Sequence, residues 1–223
     1  MSTSHTRDLL LVSGPTGSGK TYLMEALLAM YKKPVVCLDH YRREWATVKG
    51  VAEMTAKEWH EHMIWAMREG YAPASHVAIA GRRDSEIVLK AVASVGLPCT
   101  LVVDEVSRLY PQRGSVNTDL DEIIERGRHN PTSVVMGAQR PQRVDKMLMQ
   151  ECAHAAFFFP GTRMKKLFRD FGVDGVDRLK TYEYTACPRC RDLSFPVGDE
   201  TGVWTYDDTE NTIKRVREKK TST

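Results

Sequence analysis

Two short stretches carry the side chains most suited to chemistry. The first, Gly14-Pro15-Thr16-Gly17-Ser18-Gly19-Lys20-Thr21, satisfies G-x-x-x-x-G-K-[ST] at every fixed position. Its three glycines let the backbone curl until several N–H groups converge on an anion. Lys20 is then placed to reach terminal phosphates, and the Thr21 hydroxyl to ligate Mg²⁺. The second stretch, Asp104-Glu105, ends the apolar run Thr100-Leu101-Val102-Val103. An acid at the carboxyl end of a parallel strand lies beside such a loop, so Asp104 suits the metal or its water shell. Glu105 suits taking a proton from an attacking water. The glycine loop, with a strand before it and a helix after it, reads as a phosphate-binding loop but leaves the phosphate chemistry open. The acidic strand end alone is weak, since strands often end in acidic turns. Some eighty residues apart in an alternating chain, they point together to hydrolysis of a nucleoside triphosphate. A small-molecule kinase, which must keep water from the γ-phosphate, has no need of the second acid.

The elements that must position these residues follow from local pattern. Leu9-Leu10-Leu11-Val12 reads as a buried strand leading into the glycine loop, and the residues from Thr21 onward open a helix whose positive end faces the anion. Pro34 to Asp39 and His76 to Ala80 read as further strands. Thr55-Ala56-Lys57-Glu58 fits a capping box, followed by Trp59, Met63, Ala66 and Met67 on one helical face, read as core packing. A helix beginning near Asp84 turns Val88, Ala91, Val92 and Val95 inward, and Asn117 or Thr118 caps another with Leu120, Ile123 and Ile124 inside. Strands alternating with helices at short connections predict an α/β fold with a mostly parallel sheet flanked by helices.

The strand Thr132 to Ala138 follows the Asp-Glu strand and ends at Gln139-Arg140-Pro141. An amide there can bond both a phosphate oxygen and the lytic water, the geometry of a γ-phosphate sensor. Before it comes Arg126-Gly127-Arg128-His129 at a helix C-terminus, where cations are also favoured by the helix dipole alone.

An apolar strand ending in Asp-Glu, then Arg-Gly-Arg-His, a strand ending Gln-Arg-Pro, a helix, and the strand Ala155 to Phe159 resemble the HerA/FtsK superfamily of P-loop ATPases. The short length is most similar to viral genome-packaging ATPases. The likeness covers roughly residues 8 to 160. It implies a RecA-like (ASCE) P-loop fold, with ATP and Mg²⁺ as ligands and Gln139 as the sensor. It further implies that Arg128, with Arg126 as second choice, acts on the ATP of a neighbouring subunit. The active form would then be a homo-oligomeric ring translocating double-stranded DNA, with a capsid portal or vertex protein as a further partner. Filamentous-phage assembly and helicase loading are the alternative tasks. Arg42, Arg43, Lys49, Arg82, Arg83 and Arg113 are the channel candidates.

Composition excludes several classes. With 42% hydrophobic and 27% charged residues among 223, the chain is neither disordered nor fibrous. No apolar run approaches the length of a membrane span and the N-terminus lacks a signal-peptide layout, so a cytoplasmic protein is expected, in the host cytoplasm or at the capsid vertex if viral. A net charge of +3 favours a nucleic-acid partner only weakly. Five cysteines fit reduced thiols.

The organisation expected is an ATPase domain over 1–171 and an extension over 172–223. Arg163, Lys165, Lys166 and Arg169 make a cationic helical stripe at the end of the first. Cys187-Pro188-Arg189-Cys190 in the extension has two of the four ligands that structural zinc needs, with Cys152 and His154 at no standard spacing, and is read first as a turn with reduced cysteines. Lys214 to Lys220 form a basic tail. His40 to Trp45 either touches nucleic acid or tucks Trp45 into the core.

Overall fold

The computed structural model describes residues 9–28, 34–39, 45, 51–69, 76–95, 97, 99–125, 132–140, 143–152, 154–158, 183–186, 204–207 and 212–215. In chain order these form β1 (Leu9–Ser13), α1 (Lys20–Leu28), β2 (Val35–Asp39), β3 (Ala52–Met54), α2 (Ala56–Glu69), β4 (His76–Ala80) and α3 (Arg82–Val95). There follow β5 (Thr100–Val103), a 3-10 turn Val106–Arg108, α4 (Thr118–Glu125), β6 (Ser133–Ala138), α5 (Lys146–Glu151), β7 (His154–Phe158), β8 (Glu183–Ala186), β9 (Trp204–Asp207) and β10 (Thr212–Arg215). The strands make one sheet in the order β3-β4-β2-β5-β6-β1-β7-β8-β10-β9. From β3 to β7 every pairing is parallel, and from β7 onward every pairing is antiparallel.

The α/β architecture expected from the alternating pattern is therefore present, and its central strands show why the pattern was legible. Strands β1, β2, β5 and β6 are buried at every position. A parallel strand covered on both faces reads as an unbroken apolar run rather than an alternating one. Helix α3 packs between α2 and α4, while α1 packs on β1 and β6.

Local signals act as expected at two helix starts. Thr55 N donates to Glu58 Oε2 at 2.7 Å and Glu58 N to Thr55 Oγ1 at 3.2 Å, the reciprocal pair of a capping box. Trp59 and Ala66 are buried and Met63 packs against the core from the same face. Of the two cap candidates for α4, Asn117 is the one used, its Oδ1 accepting from Leu120 N at 2.9 Å. Leu120, Ile123 and Ile124 are buried as expected. Asp145 caps α5 through Met147 N at 2.7 Å.

Several features depart from the sequence expectations. Strand β3, three residues with exposed or half-buried side chains, gave no apolar signal. Helix α3 begins at Arg82, two residues ahead of Asp84, whose Oδ2 accepts from Ala56 N at 3.0 Å and ties the starts of α2 and α3 together. Trp45 is wholly buried and donates its backbone N–H to Asp39 Oδ2 at 3.2 Å, which selects the core reading of that residue. Lys214 and Arg215 lie in β10, paired with β8 and β9, so these two residues belong to the sheet rather than to a free tail. The zinc candidates Cys187 and Cys190, the cationic stripe from Arg163 to Arg169, and Arg42, Arg43 and Lys49 lie outside the described residues. No helix among the described residues is long and apolar enough to cross a membrane.

Candidate active site

Three adjacent strands end together. The β1–β6 register pairs Ser13 with Ala138, and the β5–β6 register pairs Val103 with Met136, so β5, β6 and β1 deliver their next residues to one edge of the sheet. Those residues are Asp104-Glu105, Gln139 and the glycine loop. Strand β6 lies between the other two, which puts Gln139 between the acids and the loop. The carboxyl edge of a parallel sheet is where such folds gather ligands.

The loop is shaped by its glycines and held at both ends. Gly17 (φ 75°) and Gly19 (φ 101°) take left-handed conformations open to glycine at little cost. At Gly17 an added Cβ would meet nothing within 4 Å, so conformation rather than space requires the glycine. Gly14 N donates to Ala138 O at 3.1 Å, fastening the loop to the end of β6, and Leu23 N donates to Gly19 O at 3.0 Å, starting the helix. Lys20 Nζ donates to Pro15 O at 3.0 Å, which holds the ammonium across the loop. Ser18 Oγ is buried and has no hydrogen-bond partner among the described residues. Buried hydroxyls seldom go unsatisfied, and a phosphate oxygen is a suitable acceptor. Together with Thr21 at the first turn of α1, these groups fit a nucleotide's phosphates and Mg²⁺.

Glu105 is anchored through both oxygens. Ser107 Oγ donates to Oε1, and Gln139 N donates to Oε2 at 3.0 Å. The two strand ends singled out in the sequence are thus joined by a direct hydrogen bond between the acid and the backbone of the amide residue. Asp104 and Glu105 are half-buried, while Gln139 is exposed. Arg126 and Arg128 lie outside the described residues, beyond the end of α4 at Glu125.

One residue of the site escaped sequence reading. A Cβ on Gly137 would overlap the Asp104 backbone carbonyl oxygen and come within 3.1 Å of its carbon and 3.4 Å of Met24 Sδ. Gly137 therefore lets β6 approach the acidic turn and α1 at once. The only available signal was a glycine inside an otherwise apolar strand, a common mark of close backbone approach. Gly137→Ala is expected to destabilise the fold by about 1–3 kcal/mol through overpacking and to lower turnover by displacing Asp104. Urea unfolding and steady-state phosphate release check both; wild-type values in both would refute the contact.

Two further titratable groups, Cys37 and Tyr110, are structural. Burial, and secondarily the nearby Asp39, Asp104 and Glu25, pushes the Cys37 thiol well above its ordinary range, so it stays protonated and packs as a small apolar group. Burial and then a hydrogen bond to Asp121 raise Tyr110, whose O–H donates to that carboxylate and pins the segment after the acids to α4.

That segment borders an open cleft of about 870 Å³. Its walls include Asp104, Glu105, Ser107 and Gln139 together with Arg108, Arg113, Arg140 and Arg143. Two loops build it. Pro111 bridges Val144 in antiparallel fashion, Gln112 N donates to Arg143 O at 2.7 Å, and Asp145 N donates to Tyr110 O at 3.2 Å. The loops that follow the acids and Gln139 are therefore clipped together by backbone hydrogen bonds.

Comparison with solved structures agrees with this architecture. The genome packaging NTPase B204 from Sulfolobus turreted icosahedral virus 2, in complex with ATP-gammaS, is 16% identical with a TM-score of 0.64, covering 95% of this chain and 97% of its own. Its sulfate complex gives a TM-score of 0.66 at 15% identity, covering 94% and 96%. B204 described as the DNA-packaging ATPase from Sulfolobus Turreted Icosahedral Virus gives 0.61 at 17% identity, covering 93% and 95%. At such identities the likeness is one of fold, and at that level the resemblance to packaging ATPases expected from the sequence is borne out. No curated protein matches the chain by sequence. Residues 10–160, holding the glycine loop, the paired acids and the Gln139 strand end, match the family described as ATPase family associated with various cellular activities (AAA). With that match spanning well over half its length, the chain belongs to the AAA family of P-loop ATPases.

Proposed function

We propose that this ATPase is a Mg²⁺-dependent motor that assembles as a homo-oligomeric ring and translocates double-stranded DNA, as in packaging a viral genome into a procapsid. The observation that carries the reading is the hydrogen bond from Gln139 N to Glu105 Oε2, which links the residue suited to sensing the γ-phosphate with the residue suited to activating water. A phosphotransferase to a small acceptor has no use for this pair. The likeness of fold to a genome packaging NTPase supports the same reading.

In this reading Lys20 and the loop N–H groups hold the phosphates, and Thr21 and Asp104 hold Mg²⁺ directly or through water. A bound Mg²⁺ would offset negative charge on the phosphates. Glu105 takes the proton of the attacking water, and Gln139 bonds that water and a γ-oxygen. Loss of the γ-phosphate removes one partner of Gln139, and its backbone bond to Glu105 passes the change to the loop that follows β6. Arg128, or Arg126 as second choice, reaches the ATP of the adjoining subunit, so catalysis depends on assembly. Such a motor works in the host cytoplasm at the capsid vertex, with a portal or vertex protein as partner.

An ATPase assay with and without long duplex DNA, across protein concentrations, tests the reading. Stimulation by DNA and a steeper than linear rise with protein concentration are expected. Steady turnover by a monomer indifferent to DNA would sink it.

A further inference from the structure

We infer that Tyr110 is a positioning residue that ties the paired acids of one subunit to the arginine its own α4 offers the next subunit; this rests on the ring with a trans-acting arginine proposed above. A chain of contacts runs from Glu105 to α4. Glu105 is followed by the 3-10 turn Val106–Arg108, in which Val106 is wholly buried and its carbonyl accepts from Leu109 N at 3.0 Å and from Tyr110 N at 2.8 Å. A turn closed by two bonds on one carbonyl absorbs little displacement, so movement of Glu105 carries Leu109 and Tyr110 with it. Both then hold the start of α4. Asn117 N donates to Leu109 O at 2.7 Å, and Asn117 in turn caps α4 through Leu120 N. Tyr110 O–H donates to Asp121 in the first turn of the helix. Helix α4 ends at Glu125, and Arg126 is the next residue.

Three features suit this link to coupling. First, Tyr110 is buried, and burial together with the bond to Asp121 keeps its phenol protonated, so the donor is always present. A hydrogen bond to a carboxylate is roughly twice as strong as one between neutral groups. Second, α4 is a stiff lever. Leu120, Ile123 and Ile124 are buried, the helix packs against α3, and its 8 residues span about 12 Å. A displacement entering at Asp121 therefore reappears at the end that leads into Arg126. Third, the Glu105 carboxylate is already fixed by Ser107 Oγ and Gln139 N. Glu105 does not need Tyr110 for its own place; what Tyr110 adds is the connection to α4. Loss of the γ-phosphate, felt at Gln139 and Glu105, then shifts the arginine that reaches the neighbouring ATP.

Mixed rings separate the two ends of the link. When E105Q and R128A subunits are combined, the working interface pairs the intact acids of an R128A subunit with the arginine of an E105Q subunit. Tyr110→Phe placed in the E105Q subunit then alters only the arginine donor, so E105Q/Y110F with R128A reads the trans effect alone. That mixture is expected to release phosphate roughly 10- to 10²-fold more slowly than E105Q with R128A, the cost of a catalytic group misplaced by about 1 Å, with assembly unchanged by sedimentation. Asp121→Asn keeps an acceptor for the phenol. Donors carrying E105Q/D121N should therefore match E105Q donors, while E105Q/D121A donors should be as slow as E105Q/Y110F donors. If thermal melting shows the Tyr110→Phe chain unfolded, the comparison of D121A with D121N carries the test. Equal turnover with and without Tyr110→Phe in the donor overturns the inference and leaves the ring and its arginine intact. A tyrosine that only braced its own subunit's loop would slow E105Q with R128A/Y110F and spare the donor mixture, which likewise overturns it. If Arg126 proves to be the trans residue, R126A replaces R128A throughout. No turnover in the parent mixtures with either arginine variant overturns both the inference and the trans reading on which it rests.

Discussion

Glu105→Gln is expected to lower ATP turnover by about 10²- to 10⁴-fold, the usual worth of a positioned general base, while nucleotide binding persists. The geometry makes this substitution unusually clean. The Glu105 carboxylate accepts from Ser107 Oγ on one side and from Gln139 N on the other. Of these donors only the hydroxyl can reverse its role. A glutamine therefore turns its carbonyl to Gln139 N and its NH₂ to Ser107 Oγ, keeping both contacts and losing only the basicity. Steady-state phosphate release measures the loss, and fluorescence titration with a labelled ATP analogue checks that binding is retained. Turnover within about twofold of wild type would place the base elsewhere, since general-base removal costs far more.

Arg128→Ala is expected to reduce turnover by about 10³- to 10⁵-fold, the range for an arginine acting on the γ-phosphoryl in the transition state. The decisive measurement is a mixture. Glu105→Gln and Arg128→Ala subunits, each nearly inactive alone, should regain part of the wild-type rate when combined, because some interfaces then pair an intact Glu105 with an intact Arg128. No recovery in mixed rings whose assembly is verified by sedimentation would count against a trans role for Arg128, and the same experiment repeated with Arg126→Ala decides between the two arginines.

These two variants stand differently toward the structure. Glu105 was legible as a candidate from its place after four apolar residues, but its anchoring was not. Nothing in the spacing of residues 105 and 139 indicates that a carboxylate on one accepts from the backbone of the other. Arg128 rests on resemblance alone, since it lies outside the described residues. Gly137 shows the opposite case, a residue unremarkable in sequence that tertiary contact makes decisive. Strands β8 to β10 show another limit. They are short segments that earn their place by adding to the β7 edge, and their pairing is a property of the edge as much as of their own residues.

What the sequence determined by itself is what short-range physics encodes. The glycine loop, the capping box at Thr55, the Asn117 cap and the wholly apolar strands each depend on groups within a few residues of one another, so their chemistry can be read along the chain. What only the tertiary structure decided is which strand ends become neighbours. The order β5-β6-β1 sets Gln139 between the paired acids and the glycine loop, and the bridge from Pro111 to Val144 gathers arginines from two loops into one cleft. Both depend on pairings between strands and loops distant in sequence, where register is set by packing over the whole sheet rather than by any local run of residues.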